Sequence, residues 1–177
     1  MHIVAITESG KIVAWGDNRN GGTNVPNITK RAVQVETGSD FTLALLEDST
    51  IIGWGSNSEG ILDLPKDLKG ATKIFAGYNY SAALTVDSNL ILRGSDLDII
   101  AKRPAFMGKV VDASGGADYV IALDEHGQVF TWGNTIKRGV EVPHSLTNVK
   151  EVHAGYDFAY VVLKNDSIIK WGKDGSS

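Results

Sequence analysis

The sequence predicts an all-β protein of the β-propeller class, because it repeats every 39 residues and each repeat carries the pattern of a β-hairpin. A Trp-Gly or Arg-Gly pair recurs with its glycine always at this spacing. The five glycines are Gly16, Gly55, Gly94, Gly133 and Gly172. An all-β repeat of this length is typical of a propeller blade, whereas helical solenoid repeats need long stretches of 3.6-residue periodicity that the chain lacks.

Further sets of residues keep the same spacing. The prolines are Pro26, Pro65, Pro104 and Pro143, and a second set of glycines is Gly38, Gly77, Gly116 and Gly155. The tryptophans are Trp15, Trp54, Trp132 and Trp171, with Arg93 in the remaining place. The chain therefore consists of four full units plus a terminal half unit, and we expect one propeller domain over residues 1–177 in which the tryptophans pack between neighbouring blades.

Each unit contains an apolar run, a polar turn and a second apolar run, which predicts a β-hairpin. The predicted hairpins span residues 2–16, 41–55, 80–94, 119–133 and 158–172. A polar loop with proline follows each hairpin, and then a short strand such as 32–36. The runs are nearly continuous in apolar residues, which favours strands buried on both faces between stacked sheets.

Both ends of the chain carry the same half of the unit, and a ring of seven such blades would need roughly 270 residues. Three arrangements stay open: a small ring of about five blades, an incomplete ring that a second copy completes, or a part of something longer. An incomplete ring would leave apolar blade faces uncovered, so we expect a homo-oligomer or a constant partner in that case.

Charge and composition exclude several classes of function. The net charge is −4 and the sequence contains no cysteine, which argues against nucleic acid as a partner and against disulfides or thiolate chemistry. The first residues lack the features of a signal peptide, and no apolar run reaches the ~18 residues of a membrane span. We therefore expect a cytoplasmic protein without membrane contact.

No group of residues indicates catalysis, a cofactor or a metal. The four histidines occupy different positions of the repeat, and neither a phosphate-binding loop nor a Gly-x-Ser-x-Gly motif occurs. A polar set, Asp40, Asn79, Asp118 and Asp157, precedes the central run of each unit. We interpret it as Asx turns, with a cation site as the alternative. The basic pairs, Lys30-Arg31, Lys102-Arg103 and Lys137-Arg138, are interpreted as solvated loop charges. We expect a protein that is not an enzyme.

The segments WGDNRNGGTNVP (15–26), TGSDFTLALLEDSTIIGWG (37–55) and AGYNYSAALTVDSNLILRG (76–94) resemble the RCC1 repeat family. The short unit is most similar to the bacterial repeats typified by β-lactamase inhibitory protein II. The resemblance covers nearly the whole chain and implies a β-propeller that presents loops and one mouth to protein partners. The chain departs from the family where a His-Ser pair is usual, as at Phe41-Thr42, so the identity of a partner is not carried over.

Residues that differ between repeats are the better guide to a partner, because shared residues build the scaffold. Tyr78 and Tyr156 stand where the other units have Ser39 and Ala117, and tyrosine is favoured in interface hot spots. They adjoin an aromatic set near the same mouth: Phe41, Tyr80, Tyr119 and Phe158. We interpret this set as part of the partner-binding site, with packing inside the fold as the alternative.

The third unit is atypical, since Arg93 replaces tryptophan and Ile99 and Ile100 follow in a loop. This pair indicates either an interface or a repeat that has lost its usual features. The sequence thus predicts a protein-binding module without cofactor, which could act as an inhibitor of a target protein. The alternative is a structural subunit of a virion or a secretion-type machine, completed by self-association.

Overall fold

The computed structural model describes residues 1–65, 68 and 70–173, and it confirms the prediction of an all-β fold. The strands are β1 (His2–Ile6), β2 (Ile12–Gly16), β3 (Ala32–Thr37), β4 (Phe41–Leu46), β5 (Ile51–Gly55), β6 (Ala71–Ala76), β7 (Tyr80–Thr85), β8 (Leu90–Gly94), β9 (Val110–Gly115), β10 (Tyr119–Asp124), β11 (Val129–Gly133), β12 (Val149–Ala154), β13 (Phe158–Leu163) and β14 (Ile168–Gly172). Three short helical turns lie between them: a 3₁₀ turn (Ser58–Gly60), α1 (Leu97–Ile100) and α2 (Thr135–Arg138).

The strands form one two-stranded sheet, β1–β2, and four three-stranded sheets. In each three-stranded sheet the first strand of the hairpin is central and pairs on both edges. All pairs are antiparallel, and the first and central strands are offset by a one-residue bulge near the start of the first strand in all four. The bulge explains why Val33 and Val111, at equivalent positions, are half exposed although they lie in strands.

Two compact units make up the chain, Met1–Ser95 and Asp96–Ser177. Unit 1 contains the sheets β1–β2, β3–β5 and β6–β8, and unit 2 contains β9–β11 and β12–β14. That residues 1–177 act as one domain stays a prediction.

Within each unit, the cores lie between successive sheets. In unit 1, Ala44, Leu46 and Trp54 pack with Ile6 and Ile12 of the first sheet. Phe41, Leu43 and Leu45, on the opposite face of β4, pack with Ile74 of the third sheet. Tyr119 and Ile121 pack with Val152 and Val161 in unit 2. β4 is therefore covered on both faces. β4, β7 and β10 are buried at every residue, as their continuous apolar runs predict.

One local contact explains two of the repeated sets together. The aromatic ring at the start of the central strand folds back over the glycine three residues earlier. A Cβ atom on Gly116 would lie 1.9 Å from Cε1 of Tyr119, and one on Gly38 would lie 2.0 Å from Cε1 of Phe41. No side chain fits at such a distance, so glycine and aromatic ring recur as a pair.

Candidate functional site

The strand register places the variable loops of a unit at one end of its sheets. Phe41 pairs with Gly55, and Tyr119 pairs with Gly133. The loop before each central strand and the segment after each third strand therefore leave from the same end, which we call the loop end. Tyr78, Tyr156, α1 and α2 all belong to such segments.

The shared aromatic residues lie in the core and not on the surface. Phe41, Tyr80 and Tyr119 are at most 1% exposed, so a partner cannot contact these three side chains directly. Phe41 and Tyr119 belong to the core clusters between successive sheets of their units. Phe158 is only half-buried, and the Lys170 ammonium lies 4.3 Å from the centre of its ring. The partner-binding interpretation is corrected for the three buried rings, which serve packing.

Tyr78 and Tyr156 differ from this shared set because both reach the surface. Tyr78 is 37% exposed and Tyr156 is 53% exposed. The equivalent Ala117 is 7% exposed. Their role in binding stays a prediction, and the structure leaves both side chains accessible to a partner.

The Ile99-Ile100 segment forms α1 and not an irregular loop. Asp96 caps the helix, since its side chain accepts hydrogen bonds from the N–H groups of Asp98 and Ile99. Ile99 is fully buried and Ile100 is half-buried. The carbonyl of Ile99 accepts a hydrogen bond from Trp132 Nε1 at 2.9 Å. Ile99 therefore packs inside unit 2, and its interpretation as a partner contact is corrected.

A polar cluster at the loop end of unit 2 joins α2 to two loops. The Arg138 guanidinium donates to both carboxylate oxygens of Asp118, at 2.7 and 3.0 Å. Asn134 Nδ2 donates to the same carboxylate at 3.1 Å. The guanidinium also lies 4.6 Å from the ring centre of Tyr156. Gly139, at a φ of 70°, ends α2 in the left-handed conformation and so turns the chain after Arg138.

Two sequence interpretations are corrected by this cluster. Asp118 binds a side chain 20 residues away and does not form an Asx turn with its own loop. Arg138 is not a solvated charge, since its side chain is 12% exposed. Asp118 is one of four residues at its position of the repeat, whereas Arg138 has no basic equivalent in the other units. The repeat pattern therefore does not reveal that this loop folds back onto this carboxylate.

The electrostatics of the cluster favour the charged forms. Burial opposes ionisation of Asp118, but the hydrogen bonds from Arg138 and Asn134 outweigh it and lower the pKa of the carboxyl. The hydrogen bond to Asp118 raises the pKa of Arg138 further above its ordinary value. Burial raises the pKa of Tyr119, whose hydroxyl donates to the carbonyls of Gly155 and Phe158. These groups hold fixed charges and fixed hydrogen bonds at neutral pH.

Two exposed aliphatic side chains accompany Tyr156. Leu97 of α1 is 72% exposed and Ile136 of α2 is 80% exposed. They occupy the same position of the repeat, where unit 1 has Arg19 and Ser58. Aligning the repeats would have revealed this apolar pair, but the repeat pattern alone drew attention to the aromatic set. We call Leu97, Ile136 and Tyr156 the end surface of unit 2.

The described part of the chain contains no group of three or more His, Asp or Glu side chains arranged to hold a metal ion. Among the same residues, no helix is long and apolar enough to cross a membrane. His2 is buried, and its Nε2 lies 2.7 Å from Thr42 Oγ1. Burial lowers the pKa of His2, so this histidine is a neutral core residue.

Comparison with known proteins confirms the resemblance found in the sequence. Residues 32–61 match the family model described as regulator of chromosome condensation (RCC1) repeat. Comparison with curated proteins gives no match.

Among solved structures, human WBSCR16 is similar with a TM-score of 0.79 and 19% identity, over 97% of this chain and 59% of that chain. Prp20p from Saccharomyces cerevisiae is similar with a TM-score of 0.73 and 17% identity, over 97% and 56%. The CRINKLY WD40 ectodomain of the Arabidopsis thaliana receptor kinase ACR4 gives 0.70 and 24%, over 97% and 60%. The fold is thus an RCC1-like β-propeller fold, and the chain spans less than two thirds of each of these structures.

Proposed function

We propose that the chain binds another protein through the end surface of unit 2. The observation that carries the proposal is the exposure of Leu97, Ile136 and Tyr156, at 72, 80 and 53%, at one end of a rigid β scaffold. Large apolar side chains held in water at a loop end are typical of interaction sites. The Arg138 guanidinium, held by Asp118, lies 4.6 Å from the ring centre of Tyr156. This contact restricts the ring before binding and so reduces the conformational entropy that binding costs.

The structural relatives support this class of function. The structure of Prp20p was described together with its binding to Gsp1p and histones, so an RCC1-like propeller in that protein carries protein-binding sites. Our proposal takes over the class of function and not those partners. A specific form of it is an inhibitor, in which the bound protein is an enzyme whose active site the end surface covers.

Affinity capture from the native host, with mass spectrometry, tests the proposal. Three baits are compared. They are the wild-type chain, the triple variant Leu97→Ser/Ile136→Ser/Tyr156→Ala, and the control variant Val86→Ser/Val111→Ser. The control removes exposed apolar side chains, 69 and 52% exposed, outside the end surface. We expect a protein that the wild type and the control retain in equal amounts and the triple variant loses. A partner retained equally by all three would place the site elsewhere and overturn the proposal.

The alternative function, a subunit of an assembly, is favoured by one observation on unit 1. The face of the first sheet turned away from β3 exposes Ile3, Val13 and Trp15, at 53, 44 and 51%, whereas the equivalent Trp54 is 7% exposed. Light scattering over a range of concentrations distinguishes the two functions. If the wild type forms an oligomer and an Ile3→Ser/Trp15→Ser variant does not, the assembly function is supported. If the wild type is a monomer at all concentrations, assembly by self-association is ruled out.

A further inference from the structure

The loop between β2 and β3 contains the only Asn-Gly pair of the sequence, Asn20-Gly21. In such a pair, the backbone nitrogen of the glycine can attack the side-chain carbonyl carbon of the asparagine, because glycine has no side chain to obstruct the approach. The side chain of Asn20 is exposed to solvent. It makes no hydrogen bond within the described residues. The amide of Asn20 is therefore free to react.

The neighbouring asparagines differ from Asn20 because their side chains are held. Asn18 Oδ1 accepts a hydrogen bond from the N–H of Thr23 at 3.0 Å, and Asn18 Nδ2 donates to Asn24 Oδ1 at 2.7 Å. Asn57, at the position of Asn18 in the next loop, is held in the same way. None of these asparagines precedes a glycine. Asn20 alone combines a free amide with a glycine neighbour among them.

The turn requires the glycine of this pair and not the asparagine. Gly21 has a φ of 79°, and Gly60, at the equivalent position, has a φ of 70°. Both glycines thus lie in the left-handed region that other residues rarely adopt. Glu59 stands before Gly60, so an equivalent turn forms without an asparagine. The fold therefore does not explain why residue 20 is an asparagine.

We propose that Asn20 is a site of spontaneous deamidation in the folded chain, and that Asn18 controls its rate. The nitrogen of Gly21 forms a bond to Cγ of Asn20, and the bond from Cγ to the side-chain nitrogen breaks. That nitrogen leaves as ammonia, with the proton of the Gly21 N–H. Water then opens the resulting succinimide ring at either of its two carbonyl carbons, which gives aspartate or isoaspartate.

One hydrogen bond opposes this reaction. The N–H of Gly21 donates to the carbonyl of Asn18 at 3.1 Å, so the nitrogen reacts only when the turn opens. The two side-chain hydrogen bonds of Asn18 hold the turn closed. Exposed loops open locally at a much lower cost in free energy than the whole fold. The rate of deamidation in the folded chain therefore depends on how firmly Asn18 holds this loop.

The reaction changes the attachment of the loop to the second sheet. The carbonyl of Gly22 accepts hydrogen bonds from the hydroxyl of Thr42 at 3.0 Å and from Nε1 of Trp54 at 2.8 Å. Isoaspartate at residue 20 inserts one additional carbon into the main chain and displaces this carbonyl, whereas aspartate keeps the length of the main chain. We expect the isoaspartate form to be the less stable one, because the buried N–H of Trp54 loses its acceptor.

Incubation of the full wild-type chain in mildly alkaline buffer, followed by digestion and mass spectrometry, tests the proposal. We expect Asn20 to convert into two acidic products of equal mass and different retention, while Asn18 and Asn24 keep their amides. The Asn20→Asp variant identifies the aspartate product by its retention. If Asn20 keeps its amide in the folded chain while a free peptide of residues 17–24 loses it, the folded loop prevents the reaction and the proposal is wrong.

Two matched variants test the role of Asn18. Asn18→Ala removes the hydrogen bonds that hold the loop, so Asn20 should convert several-fold faster than in the wild type. Asn57→Ala removes the equivalent bonds of the next loop and should leave the rate at Asn20 unchanged. Equal rates at Asn20 in the two variants would overturn the control by Asn18.

Urea unfolding of incubated samples tests the consequence for stability. The incubated wild type should unfold at a lower urea concentration than before incubation, in proportion to its isoaspartate content. The Asn20→Gln variant, whose longer side chain forms the corresponding ring far more slowly, should keep its midpoint under the same treatment. An unchanged midpoint in a wild-type sample rich in isoaspartate would contradict the predicted loss of the hydrogen bonds to Gly22.

Discussion

The two units hold equivalent loops against their sheets by different chemistry. In unit 1, the hydroxyl of Thr42 and Nε1 of Trp54 both donate to the carbonyl of Gly22, at 3.0 and 2.8 Å. The hydroxyl of Ser81 makes the same kind of bond to Ile61. In unit 2, Val120 and Ala159 occupy the positions of these hydroxyls and are fully buried.

Unit 2 replaces the lost hydroxyl bonds by short helices and a charged cluster. In α1, Ile99 is fully buried and its carbonyl accepts a hydrogen bond from Trp132 Nε1, and in α2, Arg138 donates to Asp118. These helices carry Leu97 and Ile136 outward, where unit 1 has Arg19 and Ser58. The sheets are thus alike, and the difference between the units lies in the loops, which is where binding function resides on a propeller.

The charged cluster gives the largest expected difference between equivalent residues. Asp118→Ala leaves the part-buried Arg138 without its partner, so we expect a loss of about 3 kcal/mol in the free energy of unfolding. Asp40→Ala changes the equivalent, exposed residue of unit 1, and we expect about 0.5 kcal/mol or less. Urea unfolding followed by circular dichroism measures both. Equal losses would contradict the structural role assigned to the Asp118–Arg138 pair.

The same pair predicts a dependence on pH. The pKa of Asp118 is lowered in the folded chain from its ordinary 3.8, so the folded state binds the proton less tightly than the unfolded state. Its contribution to stability is complete above that ordinary pKa and is lost as the pH falls through the folded value. We expect the stability gap between wild type and Asp118→Asn to narrow in acid. A gap that stays constant down to pH 2 would contradict this.

The tryptophans offer a smaller contrast. Trp54→Phe removes the hydrogen bond to Gly22 and keeps most of the ring, so we expect a loss of about 1 kcal/mol. Trp171 Nε1 is buried and has no partner among the described residues. Trp171→Phe therefore removes an unsatisfied donor, and we expect no loss or a slight gain in the urea midpoint. A loss as large as that of Trp54→Phe would show that Trp171 finds an acceptor in solution.

The repeat itself explains why the fold could be predicted and the site only in part. Positions shared between units, such as Gly38 and Phe41, reflect a contact that recurs from sheet to sheet. The spacing of these positions therefore predicted where the strands lie. The Arg138–Asp118 pair and the burial of Ile99 depend on the conformation of one loop, which no periodic pattern encodes. The sequence analysis placed the aromatic set at the surface because these residues recur in every unit. It missed Leu97 and Ile136 because their position of the repeat is apolar in only two of four copies.

The end surface is expected to have the smallest effect on stability. Leu97 and Ile136 are mostly in water, so the double variant Leu97→Ser/Ile136→Ser should change the free energy of unfolding by about 0.5 kcal/mol or less. Ile99→Ser, in the same helix as Leu97, should cost about 3 kcal/mol or more, because it leaves a cavity and buries a hydroxyl. Urea unfolding measures the free energy of unfolding of the two variants. It distinguishes exposed residues that do not stabilise the fold from a core residue that does. If the double variant were as unstable as Ile99→Ser, the exposed pair would serve the fold, and its outward position would not mark a binding surface.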